Sequence, residues 1–261
     1  LPTAMKRQPE KPSDRCRIGP GRAKRDGGFT LIELLVVIAI IAILAAMLIP
    51  VIQKVREKAK IMQAQTDMQA IKVAVADYET HYGRLPAGNQ AVTGVAGLAE
   101  DFTYGGTFKT PGGAPYDVQA PGVYHADNSE LMAILLDWER FPNGQPTVNA
   151  GHVKNPRNKV SLTVKMASDT VSPGVGTDGV YRDPWGNPYV ITLDLNNDDK
   201  VRDAFYKNPN VSAKDPATPA ASLIGLIPLT LPTGVVYEAN ASVMIWSAGP
   251  DGLIEPNTQA N

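Results

Sequence analysis

From Leu34 to Ile49 every residue is apolar, and between Phe29 and Ile49 the only charged residue is Glu33. As a helix these 21 residues would extend about 31 Å, the hydrocarbon thickness of a bilayer. A buried core helix is seldom so uniformly apolar, so the pattern predicts a membrane-spanning helix. Pro50 follows, where a missing amide and a bulky ring interrupt the helical ladder and favour a kink. The periodic pattern resumes at once. Val51, Ile52, Val55, Ala59 and Met62 form one stripe, and Met68, Ile71, Val75 and Tyr78 another, while Lys54, Arg56, Glu57, Lys58, Lys60 and Asp67 fill the polar face. No Gly or further Pro appears before Gly83. One helix is therefore expected from Phe29 to Tyr82, kinked near Pro50, its first half in a membrane and its second half packed under a head domain.

Beyond Gly83-Arg84-Leu85-Pro86 the patterning weakens. Residues 87–126 are rich in Gly, Pro and Tyr and read as a long loop region with one short helix over Val95–Glu100. Asn128-Ser129-Glu130 offers cap chemistry for a helix from Ser129 to Glu139, with Leu131, Ile134, Leu135 and Trp138 on its apolar face. The stretch from Asn143 to Asn158 is again turn-rich. Alternation over Val160–Met166 predicts a strand, as does the β-branched run Val190–Leu195, and Val243–Ser247 reads as the last strand. In Asp183-Pro184-Trp185-Gly186-Asn187-Pro188-Tyr189 the prolines stiffen a turn, and Trp185 is expected to anchor it in the core.

Charge gives the chain a direction. Residues 1–28 carry eight basic and three acidic side chains, a net of five positive charges, which assigns this end to the cytoplasm and the bulk of the chain to the far side. The remainder, from Phe29, carries 17 basic and 23 acidic residues, a balance that does not suggest nucleic-acid binding. The chain opens on Leu1, and Met5 is an alternative start. The single cysteine is Cys16, so no disulfide is expected within residues 29–261, and packing or a metal must brace the head.

A carboxylate in an apolar span usually has a partner. Glu33 either reaches the headgroup water, or pairs with a cation that a cut between Gly28 and Phe29 would create as a new α-amino group. At this point the sequence resembles a known family. Gly28-Phe29-Thr30-Leu31-Ile32-Glu33-Leu34-Leu35-Val36-Val37-Ile38 is similar to the prepilin-type signal of type IV pilins and type II secretion pseudopilins. The Gly before the cut, the Phe after it and the acid at the fifth mature position all match.

The resemblance implies an α+β pilin-like fold, with a long kinked N-terminal helix packed on a small antiparallel sheet. It divides the chain into a basic leader (1–28), a helix (29–82, with its membrane half at 29–49) and a periplasmic head (83–261) carrying a loop-rich insert at 87–180. It implies cleavage at Gly28 and N-methylation of Phe29 by a membrane-embedded prepilin peptidase. The subunit would then leave the inner membrane for a helical filament, in which the amine of one copy neutralises Glu33 of the next. Partners would be other copies of the chain, minor pilin-like subunits and an inner-membrane assembly platform. The pair Asp183–Tyr189 and Ser247–Gly252 resembles the major pseudopilin and favours a secretion pseudopilus over a surface pilus, although a mature chain of 233 residues is long for one. A membrane-anchored periplasmic binding domain is the third reading.

Two acidic loops invite calcium, a hard cation that takes six to eight oxygens. In Asp194-Leu195-Asn196-Asn197-Asp198 the polar side chains stand at the first, third and fifth positions of an EF-hand-type loop. However, Asp199 replaces the turn glycine and Phe205 the bidentate acid. The alternative is a polar hairpin tip joining Val190–Leu195 to Val201–Tyr206. In the family, calcium uses the C-terminal loop, which here offers Ser247 and Asp251, with Glu255 as a substitute for a missing acid. Enzyme signatures are absent: there is no Gly-x-Ser-x-Gly, His-Glu-x-x-His, Cys-x-x-Cys or phosphate-binding loop. His81, His125 and His152 are isolated, and Gly105–Lys109 lacks strand–helix context. The chain reads as a structural protein rather than an enzyme.

Overall fold

The computed structural model describes residues 28–96, 101–119, 124–214, 222, 225–232 and 234–256. The basic leader lies outside these, apart from Gly28. Helix α1, Leu31–Tyr82, runs 52 residues with Pro50 inside it. Its apolar first part belongs to a compact unit ending at Ile52, and the second unit runs from Gln53 to Asn261. In the first unit the helix is long and apolar enough to cross a membrane, and no part of its most apolar window is buried.

In the second unit Ala64, Ile71, Ala74, Val75 and Tyr78 form the buried face of α1. The stripe expected at 51–62 does not join them: Val51, Ile52, Val55 and Met62 remain exposed. Within the second unit, burial of α1 begins at Ala64. Polar side chains fasten the same helix. The Tyr78 hydroxyl donates to the Lys154 carbonyl at 2.6 Å, Lys159 Nζ lies 2.7 Å from Asp77 Oδ1, and the Tyr82 hydroxyl donates to Asn155 Oδ1.

After the helix come α2 (Asn89–Val95), β1 (Phe102–Tyr104), β2 (Gly106–Lys109), β3 (Pro115–Val118) and α3 (Ser129–Leu135). A 3₁₀ turn over Ala150–His152 precedes β4 (Gly174–Val175), β5 (Tyr181–Arg182) and β6 (Val190–Leu193). Then follow α4 (Pro209–Ser212), β7 (Ile227–Leu231), β8 (Gly234–Glu238) and β9 (Val243–Trp246). The central antiparallel sheet has the order β1-β6-β9, and β2–β3, β4–β5 and β7–β8 are separate antiparallel pairs. Alternation across the sheet divides the core. Phe102, Tyr104, Ile191 and Leu193 pack with Ile71, Val75 and Tyr78 of α1 and with Leu131, Ile134 and Leu135 of α3. Val190 and Trp246 face the other way, onto Phe108, Phe205 and Val211.

The α+β pilin-like architecture is as expected, but several local readings are not. The described residues of 87–126 hold one helix and three strands rather than a loop. The helix ends at Val95, where the expected one begins, and 97–100 lie outside the described residues. All three residues of β1 are buried, so it shows no alternation in the sequence. Helix α3 stops at Leu135 instead of Glu139, because Asp137 takes a left-handed φ of 56° and ends the helical run. All of Leu131–Leu136 is buried, not a single stripe.

Val160–Met166 is not a strand. Leu162 is buried, yet Ser161 N–H donates to the Leu135 carbonyl, and among the described residues the one bridge of this stretch is Met166 with Val175. Nor do Val190–Leu195 and Val201–Tyr206 form a hairpin. Both edges of β6 are taken by β1 and β9, and Val201 pairs instead with Ala239. Trp185 is half-buried rather than in the core; its Nε1 donates to Glu57 Oε1 on α1 at 3.1 Å.

Candidate functional site

The N-terminal segment carries its chemistry in the open. Gly28 and Phe29 precede the helix and are exposed. Thr30 N–H and Oγ donate to Glu33 Oε2 at 2.8 and 2.7 Å, and Glu33 N–H donates to Thr30 Oγ at 3.3 Å. This is a reciprocal capping box, which satisfies helix-end amides that would otherwise lack acceptors. The sequence reading sought a distant partner for Glu33 and missed this one, although Thr-x-x-Glu ahead of an apolar run is its signature. From Leu31 to Ile52 every residue except Ala45 is exposed. In the second unit Val55, Ile61 and Met62 are exposed as well.

The two motifs at Asp183–Tyr189 and Ser247–Gly252 meet in space. Asp183 is fully buried. Its Oδ1 accepts from the Trp185 and Asn187 amides, both at 2.9 Å, and its Oδ2 accepts from Ser247 Oγ at 2.5 Å. Asn187 Nδ2 donates to the Gly249 carbonyl at 2.8 Å. Gly252 has φ +62°, and a Cβ there would lie 2.6 Å from Asn187 Oδ1, so both the left-handed backbone and the close approach require glycine. Ser247 is thus occupied by Asp183 and by the Gly249 amide. Asp251 accepts from the Leu253 amide at 3.1 Å and is exposed, as is Glu255. No hydrogen bond or ion pair among the described residues draws Ser247, Asp251 and Glu255 together.

The other acidic loop is wound around its first residue. Asp194 Oδ1 accepts from the Asn197 and Asp198 amides at 2.7 and 3.3 Å, and Oδ2 from the Asp199 amide at 2.9 Å. Asn196 Nδ2 donates to Asp198 Oδ2 at 3.3 Å. Asp199, where a calcium loop would carry glycine, takes the left-handed φ of 63° that glycine usually supplies. Burial raises the Asp194 pKa. One residue that sequence reasoning missed stands beside this loop. Asp101 is 2% exposed; its Oδ2 accepts from the Arg202 amide at 2.7 Å, and its Oδ1 is buried without a hydrogen-bond partner. Burial pushes its carboxyl up to about 7, with the Asp194 and Asp198 charges adding to the effect and the Arg202 amide and guanidinium opposing it. Among the described residues no three His, Cys, Asp or Glu side chains are already gathered into a metal cage.

Comparison with known proteins places the N-terminal features in a family. Residues 23–49 match the model of the prokaryotic N-terminal methylation motif. The chain is 32% identical over 126 residues to the type II secretion system core protein G of Aeromonas hydrophila, covering 44% of this chain and 87% of that protein. Its counterpart in Pseudomonas aeruginosa is 30% identical over 110 residues, 38% of this chain and 78% of that protein. A type IV major pilin protein PilE1 of Neisseria gonorrhoeae is 40% identical over 120 residues, 45% of this chain and 70% of that protein. No solved structure gives a significant match. A methylation motif at the head of an exposed apolar helix, and relatives aligned over most of their own length, lead to one conclusion: the chain belongs to the family of type IV pilins and type II secretion pseudopilins.

Proposed function

We propose that this chain is a structural subunit of a type II secretion pseudopilus and has no enzymatic role. It is made as a prepilin, held in the inner membrane by residues 29–49 with its leader in the cytoplasm and its head in the periplasm. A prepilin peptidase cuts after Gly28 and methylates Phe29, and the product joins a helical filament through an assembly platform. The observation that carries this reading is the exposure of the apolar side chains of Leu31–Ile52, among which only Ala45 is partly covered. An exposed apolar helix face of this length fits burial in a bilayer and then against the helices of other copies. Minor pilin-like subunits would use the same mode.

The locked junction of Asp183–Tyr189 with Ser247–Gly252 supports the pseudopilus over a surface pilus, since the resemblance to the major pseudopilin rests on those two motifs. The PilE1 relative supports the surface pilus as the second reading. Mass spectrometry of the assembled protein should find a methylated Phe29 as its first residue; recovery of assembled chains that keep residues 24–28 would refute the processing step. Deleting the gene should block secretion of folded proteins and leave surface fibres unchanged, and the opposite pair of results would favour the pilus.

Glu33 needs a sharper test because it already serves Thr30. Glu33→Gln preserves an acceptor for the capping box and removes the charge. If pairing with a neighbouring amine drives assembly, the Gln variant inserts in the membrane yet fails to form filaments, as Glu33→Val does. Normal filaments from Glu33→Gln would reduce the role of Glu33 to capping its own helix.

A further inference from the structure

We propose that the head binds a calcium ion between the 194–200 loop and Asp101, with Asp101 taking the place of the acid that the loop itself lacks. In an EF-hand-type loop the twelfth position closes the site with a bidentate carboxylate. Here that position is Phe205, which is buried against Trp246 and Val211 and cannot serve. The missing carboxylate comes from another strand. In the β1–β6 ladder Phe102 faces Leu193, so the next pair outward sets Asp101 opposite Asp194. Residues opposite each other in an antiparallel pair share a face, with Cβ atoms about 4.5–5.5 Å apart. Asp101 therefore projects on the side of the sheet where Asp194 anchors the loop.

The state of Asp101 is the second, independent sign. A buried carboxylate oxygen without a partner is costly, and native structures normally satisfy such atoms. Asp101 Oδ1 is buried and unpartnered while Oδ2 is fixed by the Arg202 amide, so the side chain is oriented and has one oxygen to give. The basic residues of this segment are engaged by Glu238: Lys200 Nζ lies 2.5 Å from Glu238 Oε1 and Arg202 Nη2 3.1 Å from Glu238 Oε2. Asp101, Asp194 and Asp198 supply three negative charges, Asn196 an amide oxygen, and the seventh loop position, Lys200, a main-chain carbonyl. That all-oxygen set from a flexible loop suits calcium; magnesium demands tighter octahedral geometry and keeps more of its water. Closing the site asks Asp198 to leave Asn196 Nδ2 and the Lys200 amide and Asn196 Oδ1 to share the Asp198 amide with the ion, rearrangements of exposed side chains.

This site is distinct from the C-terminal loop of Ser247, Asp251 and Glu255, and it does not depend on how the subunit assembles. The test is thermal melting of the full chain in mild detergent with calcium chloride, with magnesium chloride and with chelator, alongside Asp101→Asn, Asp194→Asn and Asp251→Asn. Calcium should raise the melting temperature of the natural chain more than equal magnesium. Asp101→Asn keeps an acceptor for the Arg202 amide, so in chelator it should melt no lower than the natural chain, because a buried like charge has been removed. It should nonetheless need ~10-fold more calcium or worse for the same shift. Asp251→Asn should respond as the natural chain does. No calcium shift in the natural chain would overturn the proposal. So would a response kept in Asp101→Asn and lost in Asp251→Asn, or an Asp101→Asn chain that melts far lower in chelator, which would make Asp101 a purely structural residue.

Discussion

Asp183 is where removal of one carboxylate should separate two motifs 60 residues apart. Its side chain accepts two main-chain amides within its own turn and the Ser247 hydroxyl from the other loop, and it is fully buried. A hydrogen bond to a charged group contributes about 1.5–3 kcal/mol net, and leaving the donors unpaired adds desolvation cost. Trp185 and Asn187 are only half-buried, so water recovers part of that cost for their amides. Asp183→Ala should therefore destabilise the protein by roughly 3–5 kcal/mol, or roughly 6–20 °C in Tm for a domain of this size. Ser247→Ala loses one bond and leaves Asp183 its two amides, so about 1–2 kcal/mol is expected. The double variant should cost less than the two singles together, because the Ser247–Asp183 bond can be lost only once. Urea unfolding of the full chain in mild detergent, followed by tryptophan fluorescence, measures all three. An Asp183→Ala change within about 1 kcal/mol of the natural chain, or strict additivity with Ser247→Ala, would refute the view that this carboxylate joins the two loops.

Other outcomes follow from the same packing. Ile71→Ala, at a position with no exposure, should cost about 2–5 kcal/mol in the same assay, while Val55→Ala, which the head leaves exposed, should unfold as the natural chain does and weaken only filament formation. Glu130 has its carboxyl pushed up to about 7 by burial, opposed by Lys154, above the ordinary carboxylate value of 4.5. Between those values the folded chain holds a proton that the unfolded chain has released, so stability should fall as pH rises through that window and level off above it. Among the described residues Tyr104, Tyr124 and Lys154 face Glu130. The Asp101 carboxyl, also pushed up to about 7, contributes to the same window, so Glu130→Gln should lessen the fall without abolishing it, and an unchanged profile would remove Glu130 as one of its sources.

The long helix, α3, β6 and β9 were legible because each shows in a single run of sequence. An apolar span, a buried cluster at helical spacing and β-branched runs need no knowledge of distant partners. What stayed hidden depends on pairing. β1 is three residues long and buried on both sides, so it carries no alternation to read. Val160–Met166 has alternation but makes a single bridge, Met166 with Val175, among the described residues, so it forms no strand. Val201–Tyr206 looked like the return of a hairpin only because nothing local reveals that β6 already has a neighbour on each edge. At the N-terminus the Thr30–Glu33 box has a local signature in its Thr-x-x-Glu spacing, but the conspicuous charge of Glu33 in an apolar run directs attention away from it. Asp101 gave no local signal at all: one acid at the edge of a weakly patterned stretch acquires meaning only from the register of β1 against β6.

The polar residues that sequence reading assigns to loops also explain how a head without cysteine holds long irregular segments. Asn128, Asn149, Asn155, Asp183 and Asp203 are all essentially inaccessible, and each binds several main-chain or side-chain groups from more than one segment. Asn128 donates to the Tyr181 and Tyr189 carbonyls and accepts from the Tyr181 amide, fixing the start of α3 to β5 and to the entry of β6. Asn155 donates to the Ile134 and Lys159 carbonyls and accepts from the Lys159 amide and the Tyr82 hydroxyl. Asp203 accepts the Phe205 and Tyr206 amides, the Thr192 hydroxyl and Trp246 Nε1, joining the 203–206 turn to two strands of the central sheet. A disulfide acts largely by restricting the unfolded chain. These residues act only in the folded state, by satisfying buried polar groups that would otherwise oppose burial of the loops. Their effect is therefore cooperative with packing, and it is concentrated where Tyr78 and Tyr82 bind the 154–155 segment. The C-terminal half of α1 is thereby fixed to the head by a polar network as well as by its apolar face, as a subunit needs if its load enters through the helix.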